Sequence, residues 1–337
     1  MKRIIESIIY SVLLLSFFSC ERMIYEKDRA STDPRVNFEY LWNECNRKYA
    51  YFDLKGIDWE QVKQTYSAKL YDGMSEDSLF NVLGAMLTEL KDGHTNLQSP
   101  FNTSIFNVEQ LGQDNFDWRI ISENYFHNGT FYYSGPFTHN FLKDNQLGYI
   151  RLASFTGTIN DESLDFIFEK YKDTKGLILD LRENGGGVAS DVFQILSRFV
   201  EQPTLLSYSR IKSGPGPNDF SQPEPVYIFP WKGIRYNKKI AVLTDRGTYS
   251  AGSFTALSTK ALPQMILIGD TTGGGLGIPN GGQLPNGWFY RFSMTQALTL
   301  DKKPDYEDGV PIDIHVLFNW KDRTKDEVLE RAIEELL

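Results

Sequence analysis

The second half of the chain alternates apolar, strand-like runs with stretches of helical spacing. The run "KGLILDLR" (175–182) is continuously apolar apart from its ends, and "GVASDVFQILSRFV" (187–200) follows it with apolar residues three and four apart. The run "KKIAVLTD" (238–245) and the run "QMILIGD" (264–270) enclose a second helix-like stretch. Continuous apolar strands are typical of a sheet that is buried on both faces. Strands that alternate with helices pair in parallel, so the sequence predicts an α/β core.

The first half has a different pattern, which predicts a separate helical part. Three amphipathic stretches lie within 36–99, and the third runs into a glycine turn at "KDGHTNL". The segment 100–145 contains short β-like pieces, and is too short for an additional small domain such as a PDZ domain. We therefore divide the chain into an N-terminal helical subdomain (36–99), a short β-rich connecting segment (100–145) and an α/β core (146–337).

The N-terminus has the features of an export signal. A basic start precedes the apolar run "IIYSVLLLSFF", which is too short to span a membrane comfortably, and "FFSC" ends at Cys20. This pattern resembles a bacterial lipoprotein signal (1–19) in which Cys20 becomes the lipidated first residue, and 20–35 reads as a polar tether. We therefore expect a cell-envelope protein that is held by a lipid anchor at the outer membrane. Cys45 is expected to be a buried helix residue.

Charge and cysteine content exclude some functions. The 337 residues carry a formal net charge of −9, which disfavours nucleic acid as a partner. Cys20 and Cys45 are the two cysteines in the sequence, so no cysteine-rich metal site is expected. Neither a metal nor a cofactor is predicted.

Ser250, in "RGTYSAGSF", lies at the corner between a predicted strand and a predicted helix. One interpretation is a helix N-cap, for which serine is a favoured residue. The other is a nucleophile, because at such a corner the following N–H groups point toward a developing negative charge.

Two further motifs carry residues that suit the same chemistry. In "LDLRENGGGVASD", three glycines (185–187) follow a buried strand, and a glycine N–H there can approach a substrate carbonyl closely. A tight strand-to-helix turn is the alternative interpretation. In "DGHTNL", His94 lies on a glycine turn beside acidic and hydroxyl groups, where an imidazole could be oriented as a base. A structural histidine is the alternative.

Taken in order, "LKDGHTNL", "LGYIRLASF", "KGLILDLRENGGG", "VLTDRGTYSAGSF", "LIGDTTGGG" and "EDGVPIDI" resemble the tail-specific, or C-terminal processing, serine peptidases, and most closely their tricorn-type branch. The resemblance covers roughly residues 36–320. It implies a ClpP/crotonase-like core of β-β-α units with an N-terminal helical subdomain. It also implies that Ser250 is the nucleophile of a serine endopeptidase that acts on peptides or unfolded proteins.

The two branches of that family activate the serine differently. One branch uses a lysine in the loop after the strand that follows the nucleophile helix. In this chain that loop reads "GDTTGGGLG" and contains no lysine; the nearest lysine is Lys260, at the far end of the Ser250 helix. The tricorn-type branch uses a histidine, which His94 matches, and a C-terminal glutamate, which Glu307 matches.

Three details of the implied site depend on the same resemblance. The branch has a serine immediately before its histidine, where this chain has Gly93, so Thr95, Asp92 or water are alternatives in the relay that orients His94. The oxyanion donors would be the N–H groups of Ala251 and of one glycine of 185–187, for which we choose Gly186. A catalytically inactive peptide-binding envelope lipoprotein of the same fold is the rival function.

Overall fold

The computed structural model describes residues 30–107, 112–126 and 129–337. The predicted signal, Cys20 and most of the predicted tether lie outside these residues. Within them, no helix has both the length and the apolar character needed to cross a membrane.

Nine α-helices and fourteen strands are found in the described ranges. The first half contains α1 (Pro34–Lys48), α2 (Phe52–Lys55), α3 (Trp59–Ser67), α4 (Glu76–Thr88), β1 (Asn96–Gln98), β2 (Thr103–Ile105), α5 (Trp118–Asn124), β3 (Tyr132–Ser134), β4 (Phe137–Leu142), β5 (Leu147–Leu152) and α6 (Asp161–Tyr171). The second half contains β6 (Gly176–Asp180), α7 (Ala189–Leu196), β7 (Thr204–Ile211), β8 (Glu224–Ile228), β9 (Lys239–Thr244), α8 (Ala251–Thr259), β10 (Met265–Gly269), β11 (Pro279–Gln283), β12 (Phe289–Ser293), β13 (Thr295–Leu298), β14 (Ile314–His315) and α9 (Glu327–Leu336).

A seven-stranded sheet forms the centre of the core, in the order β14-β10-β9-β6-β5-β4-β3. The strands from β14 to β5 are parallel, and β4 and β3 add an antiparallel edge. Every residue of β5 and β6 is buried, because apolar clusters cover both faces of the sheet. The predicted α/β fold class, with helices at the N-terminus, is confirmed.

The N-terminal helices pack against a second, four-stranded antiparallel sheet. Its order is β11-β12-β1-β2, so two strands from the first third of the chain pair with two from the last quarter. Side chains of α1, α3 and α4 form one apolar cluster with Leu97, Tyr290 and Phe292 from the inner face of this sheet. Cys45 is buried in that cluster, as expected for a helix residue.

A third sheet, in the order β13-β7-β8, shows where the sequence reading of the strands was wrong. The sequence of the run "WFYRFSMTQAL" (288–298) by itself predicts one strand. It divides at Met294 into β12, in the four-stranded sheet, and β13, which pairs with β7. The strand divides here because the backbone of Met294 bonds in two directions: its N–H donates to Ile278 O, and its carbonyl accepts from Lys212 N–H. The chain therefore changes sheets at this residue.

A buried ion-pair network joins the C-terminal helix to the end of β6. The Arg182 guanidinium donates to both Asp180 and Asp326, and all three side chains are buried. Asp326 is also the N-cap of α9, where its Oδ1 accepts the Leu329 N–H at 2.9 Å. The network thus fixes the strand end that leads into the three glycines.

Candidate active site

Ser250 lies at the corner between β9 and α8. Its backbone has φ +54° and ψ −116°, a region that residues other than glycine rarely adopt. The Ser250 N–H donates to Gly274 O, and the Tyr249 N–H donates to Asn184 O, each at 2.9 Å. The hydroxyl makes no N-cap hydrogen bond to the helix. Tertiary contacts therefore hold this residue in a strained conformation and leave its hydroxyl available for another partner.

That partner is His94, on the turn between α4 and β1. The Ser250 Oγ lies 2.9 Å from His94 Nε2, so the hydroxyl can donate to a neutral imidazole. Asp92 fixes the turn, because its Oδ1 accepts the His94 backbone N–H at 2.8 Å. The Tyr249 hydroxyl also donates to Asp92 Oδ1, at 3.3 Å, and the Tyr249 ring lies 5.1 Å from the imidazole.

The other imidazole nitrogen faces a residue that the sequence analysis missed. His94 Nδ1 lies 3.5 Å from the hydroxyl oxygen of Ser293, a buried residue at the end of β12. The Ser293 hydroxyl in turn lies 3.5 Å from Gly277 O. Ser293 is far from His94 in sequence, and "FYRFSMT" contains no signal of its own for a relay residue. The pairing of β1 with β12 brings it there.

Glu307 is buried below this relay rather than bonded to the imidazole. Its Oε2 accepts the N–H groups of Leu276, at 2.9 Å, and Gly277, at 3.0 Å. Across the described ranges, no hydrogen bond joins Glu307 to His94. Burial, and secondarily the charge of Asp92, raises the Glu307 pKa to about 8. Both N–H groups donate to the same carboxyl oxygen, and the buried Tyr51 hydroxyl also lies against this carboxyl.

The His94 pKa is lowered from its ordinary value, chiefly by burial. The Asp92 charge opposes this effect, the Arg291 charge adds to it, and the Gly277 backbone opposes it. The Asp92 carboxylate, which also accepts the His94 backbone N–H, thus favours protonation of the imidazole against the effect of burial. Because the pKa lies below its ordinary value, His94 is largely neutral at pH 7 and able to accept a proton.

The three glycines lie directly against the Ser250 corner. Gly186 has φ +91°, and a Cβ there would lie 2.6 Å from Ser250 Cβ. Its N–H donates to Asn184 Oδ1 at 2.9 Å, and Asn184 is itself held by Leu152 O. The N–H groups of Ala251 and Gly187 have no acceptor in the part of the chain that the structure describes.

An open cleft of about 650 Å³ contains this constellation. Apolar side chains line much of it, and the rings of Phe193 and Phe254 lie 5.6 Å apart in its wall. Arg291 also lines the cleft, and its Nε donates to His94 O at 3.4 Å. The cleft has the shape and composition of a site for a flexible, partly apolar ligand.

The structure brings Ser250, His94, Gly186 and Ala251 together in one cleft, with Glu307 behind it. Lys260 lies elsewhere, where its Nζ donates to Asp313 Oδ1 at 2.7 Å. In the described ranges, no group of three or more His, Cys, Asp or Glu side chains is arranged to hold a metal ion.

Comparison with known proteins identifies the family of this chain. A family model described as peptidase family S41 matches residues 146–316, just over half of the chain. The chain belongs to peptidase family S41. A second family model, the tricorn protease C1 domain, matches residues 30–88 of this S41 chain. The predicted resemblance to the tricorn-type peptidases is confirmed.

The S41 chain is similar to the crystal structure of a protein from Parabacteroides merdae that is described as a peptidase. It is 38% identical, with a TM-score of 0.85 over 91% of this chain and 98% of that one. The tricorn protease structure has 16% identity and a TM-score of 0.55, over 90% of this chain and 36% of that one, and shows a shared fold.

The carboxy-terminal processing protease CtpA of Bacillus subtilis is 28% identical over 171 residues, which are 50% of this chain and 34% of that protein. The chain therefore matches only about a third of the length of this curated relative.

Proposed function

We propose that this S41 chain is a serine endopeptidase that hydrolyses peptide bonds through an acyl-enzyme. The observation that supports this most directly is the 2.9 Å distance between Ser250 Oγ and His94 Nε2, at a strained corner that opens into the cleft. A nucleophile within hydrogen-bond reach of a neutral base is the arrangement that serine activation needs.

In the first half of the reaction, Ser250 Oγ attacks the carbonyl carbon of the peptide bond while His94 Nε2 takes its proton. The carbonyl oxygen becomes an oxyanion. In the proposed mechanism the Ala251 N–H, at the start of α8, donates to it together with a glycine N–H from 185–187. Gly186 remains our choice on the resemblance; because Asn184 already accepts its N–H, it would have to share or exchange that bond.

The C–N bond then breaks, and His94 gives its proton to the leaving amine. The remaining acyl group is an ester of Ser250 Oγ. Water attacks the carbonyl carbon of this ester while His94 takes a proton from the water. The C–Oγ bond then breaks, and His94 returns the proton to Ser250 Oγ. Ser293 and the Gly277 carbonyl, on the Nδ1 side, keep the imidazole in the tautomer that leaves Nε2 free.

A serine-reactive fluorophosphonate followed by peptide mapping tests this proposal. We expect the label on Ser250, and loss of both labelling and casein hydrolysis in Ser250→Ala. Ser190→Ala is the matched control, since Ser190 is an exposed serine just beyond the glycine loop. A folded wild-type protein that is neither labelled nor active would favour the rival function, an inactive peptide-binding protein.

We also propose that the protein is exported and held by lipid on Cys20 at a cell-envelope membrane, where its substrates would be peptides or unfolded proteins. The basic start, the short apolar run and "FFSC" support this proposal. Lipid chains stay buried at high salt, whereas a charge-bound protein is released.

Membrane fractionation tests the location. We expect detergent, but not salt, to release the wild-type protein, and Cys20→Ser to abolish incorporation of labelled fatty acid. The Cys45→Ser variant is the control, because Cys45 is buried in the helical cluster. Lipid incorporation into Cys20→Ser would contradict the proposal.

A further inference from the structure

The outward face of the four-stranded sheet has a composition that the reaction does not explain. Pairing across β11, β12, β1 and β2 places two rows of side chains on this face. One row contains Gly281, Arg291, Asn96 and Ile105, and the other contains Gln283, Phe289, Gln98 and Thr103. We call these eight residues the outer face.

The outer face combines apolar side chains with uncharged polar ones, and Arg291 is its one charged residue. Ile105 is 60% exposed and Phe289 is 56% exposed, although the alternate residues Leu97 and Tyr290 are buried against the helices. An open groove of about 540 Å³ runs over this face and is lined by no acidic side chain. Two large apolar side chains left open in one groove, above a well-packed layer, are typical of a binding surface.

The groove is continuous with the catalytic cleft. Arg291 and Pro279 line both of them. The Arg291 Nε lies 3.4 Å from His94 O, one strand away from the base. Within 30–107, 112–126 and 129–337, Arg291 forms no ion pair, although the chain has a net charge of −9. A positive group without an acidic partner at this junction is suited to a carboxylate from a ligand.

We propose that the outer face docks the part of the substrate chain that follows the scissile bond, with apolar side chains against Ile105 and Phe289 and a carboxylate at Arg291. This inference rests on the proposed peptidase function. The direction follows from the chemistry. His94 must give its proton to the leaving amine, so the chain beyond the scissile bond leaves the site on the side of His94, where Arg291 stands.

The width of the sheet determines how many substrate residues are needed to contact the whole outer face. Neighbouring strands lie about 4.8 Å apart, so the row from Arg291 across Asn96 to Ile105 spans about 10 Å. An extended peptide advances about 3.3 Å per residue, so about three residues cross this row. Substrates with two residues after the scissile bond would stop near Arg291, whereas substrates with six would cover the face.

A kinetic comparison of two peptides tests the docking. Both have the same residues before the scissile bond; one has two residues after it and the other has six, with leucines at alternate positions. We expect the double variant Ile105→Ala/Phe289→Ala to lower the ratio of kcat/KM for the long peptide to that for the short one about tenfold, chiefly through KM. Phe166→Ala is the control, because Phe166 is 53% exposed on α6, outside the outer face, and should leave the ratio unchanged.

The role of Arg291 is tested with the short peptide, whose C-terminus would lie near Arg291, as a free acid, as a C-terminal amide, and as the amide with aspartate at its last position. Weaker binding of the plain amide, restored by the aspartate, would show recognition of any carboxylate. Loss without restoration would show recognition of the C-terminus. Arg291→Gln should remove the discrimination in either case. Equal binding of all three peptides by wild-type protein would overturn the carboxylate part of the proposal.

A binding measurement separates failure of this inference from failure of the proposed function. The Ser250→Ala variant cannot hydrolyse the peptide, so fluorescence anisotropy with a fluorescein-labelled long peptide reports docking alone. We expect weaker binding when Ile105→Ala/Phe289→Ala is added to this variant, and no change with Phe166→Ala. If the long peptide does not bind, or binds equally with and without the two outer-face side chains, the inference is wrong, whatever Ser250 does.

Discussion

Gly186 offers the sharpest test of how the site is held, because its neighbour Gly185 is a built-in control. A Cβ at Gly186 would lie 2.6 Å from Ser250 Cβ, 2.7 Å from Tyr249 O and 2.9 Å from Ala251 N. These are backbone or first side-chain atoms of the catalytic corner, so no flexible side-chain end can move to make room. A Cβ at Gly185 would meet nothing within 4 Å, and its φ is not in the left-handed region.

The size of the effect follows from two sources. A residue other than glycine with φ near +91° is strained by about 1–2 kcal/mol. Forcing an extra methyl group into a packed site costs about 1–3 kcal/mol. Gly186→Ala should therefore lower the free energy of unfolding by about 2–5 kcal/mol. If Ser250 moves by about 1 Å to relieve the contact, kcat/KM should fall about 100-fold.

Two assays on both variants decide the matter. Urea unfolding followed by tryptophan fluorescence gives the stability, and hydrolysis of a peptide substrate gives kcat/KM. We expect Gly185→Ala to stay within about 0.5 kcal/mol of the wild type in stability and to keep most of its activity. Near-normal activity in Gly186→Ala, or equal losses in the two variants, would refute the steric reasoning.

Three further predictions concern the base and the scaffold. His94→Ala should lower kcat/KM by about 10⁴-fold or more, whereas Lys260→Ala should keep nearly full activity; the reverse result in a peptide hydrolysis assay would make the lysine the base. Burial lowers the His94 pKa below its ordinary value of 6.5, so His94 becomes protonated, and is lost as a base, only below that pH. A pH profile of kcat/KM should therefore be level at neutral pH, with its acid-side midpoint below 6.5; a midpoint above 6.5 would contradict the assignment. Asp326→Ala removes a helix cap and leaves buried Arg182 with one acidic partner fewer, so it should lower the free energy of unfolding by about 4–6 kcal/mol. Asp58→Ala, which removes an exposed cap alone, should lower it by about 1 kcal/mol; equal losses in urea unfolding would show that the buried pair adds nothing.

The central sheet was predictable because its strands carry their own signal. The runs around β6, β9 and β10 are continuously apolar, and each is followed by a polar or glycine-rich turn. Burial on both faces demands that pattern, whatever the rest of the chain does. The division at Met294 carried no such signal. The alternation of apolar residues continues through it, and only pairing with distant strands decides that β12 and β13 belong to different sheets.

The site was predictable to a smaller extent, because its parts are distant in sequence. Ser250 and His94 are 156 residues apart, and no spacing rule joins them; the ordered motifs of a known family did so. Ser293 was missed because it reaches His94 only through the pairing of two strands. The setting of Glu307 was also hidden in the sequence, since its raised pKa results from burial and from the nearby Asp92 charge.

The shared four-stranded sheet also bears on when activity can first arise during synthesis. The turn that carries His94 leads directly into β1, whose partner on one side is β12, about 190 residues later. A growing chain that has already produced the Ser250 corner still lacks the strand that anchors His94 and carries the Ser293 hydroxyl beside it. Long-range pairing of this kind is completed late, since loop closure must come before its contacts form. Ser250 and His94 should therefore come together only after β12 has been made, so a chain that ends before this strand would lack the proposed catalytic pair.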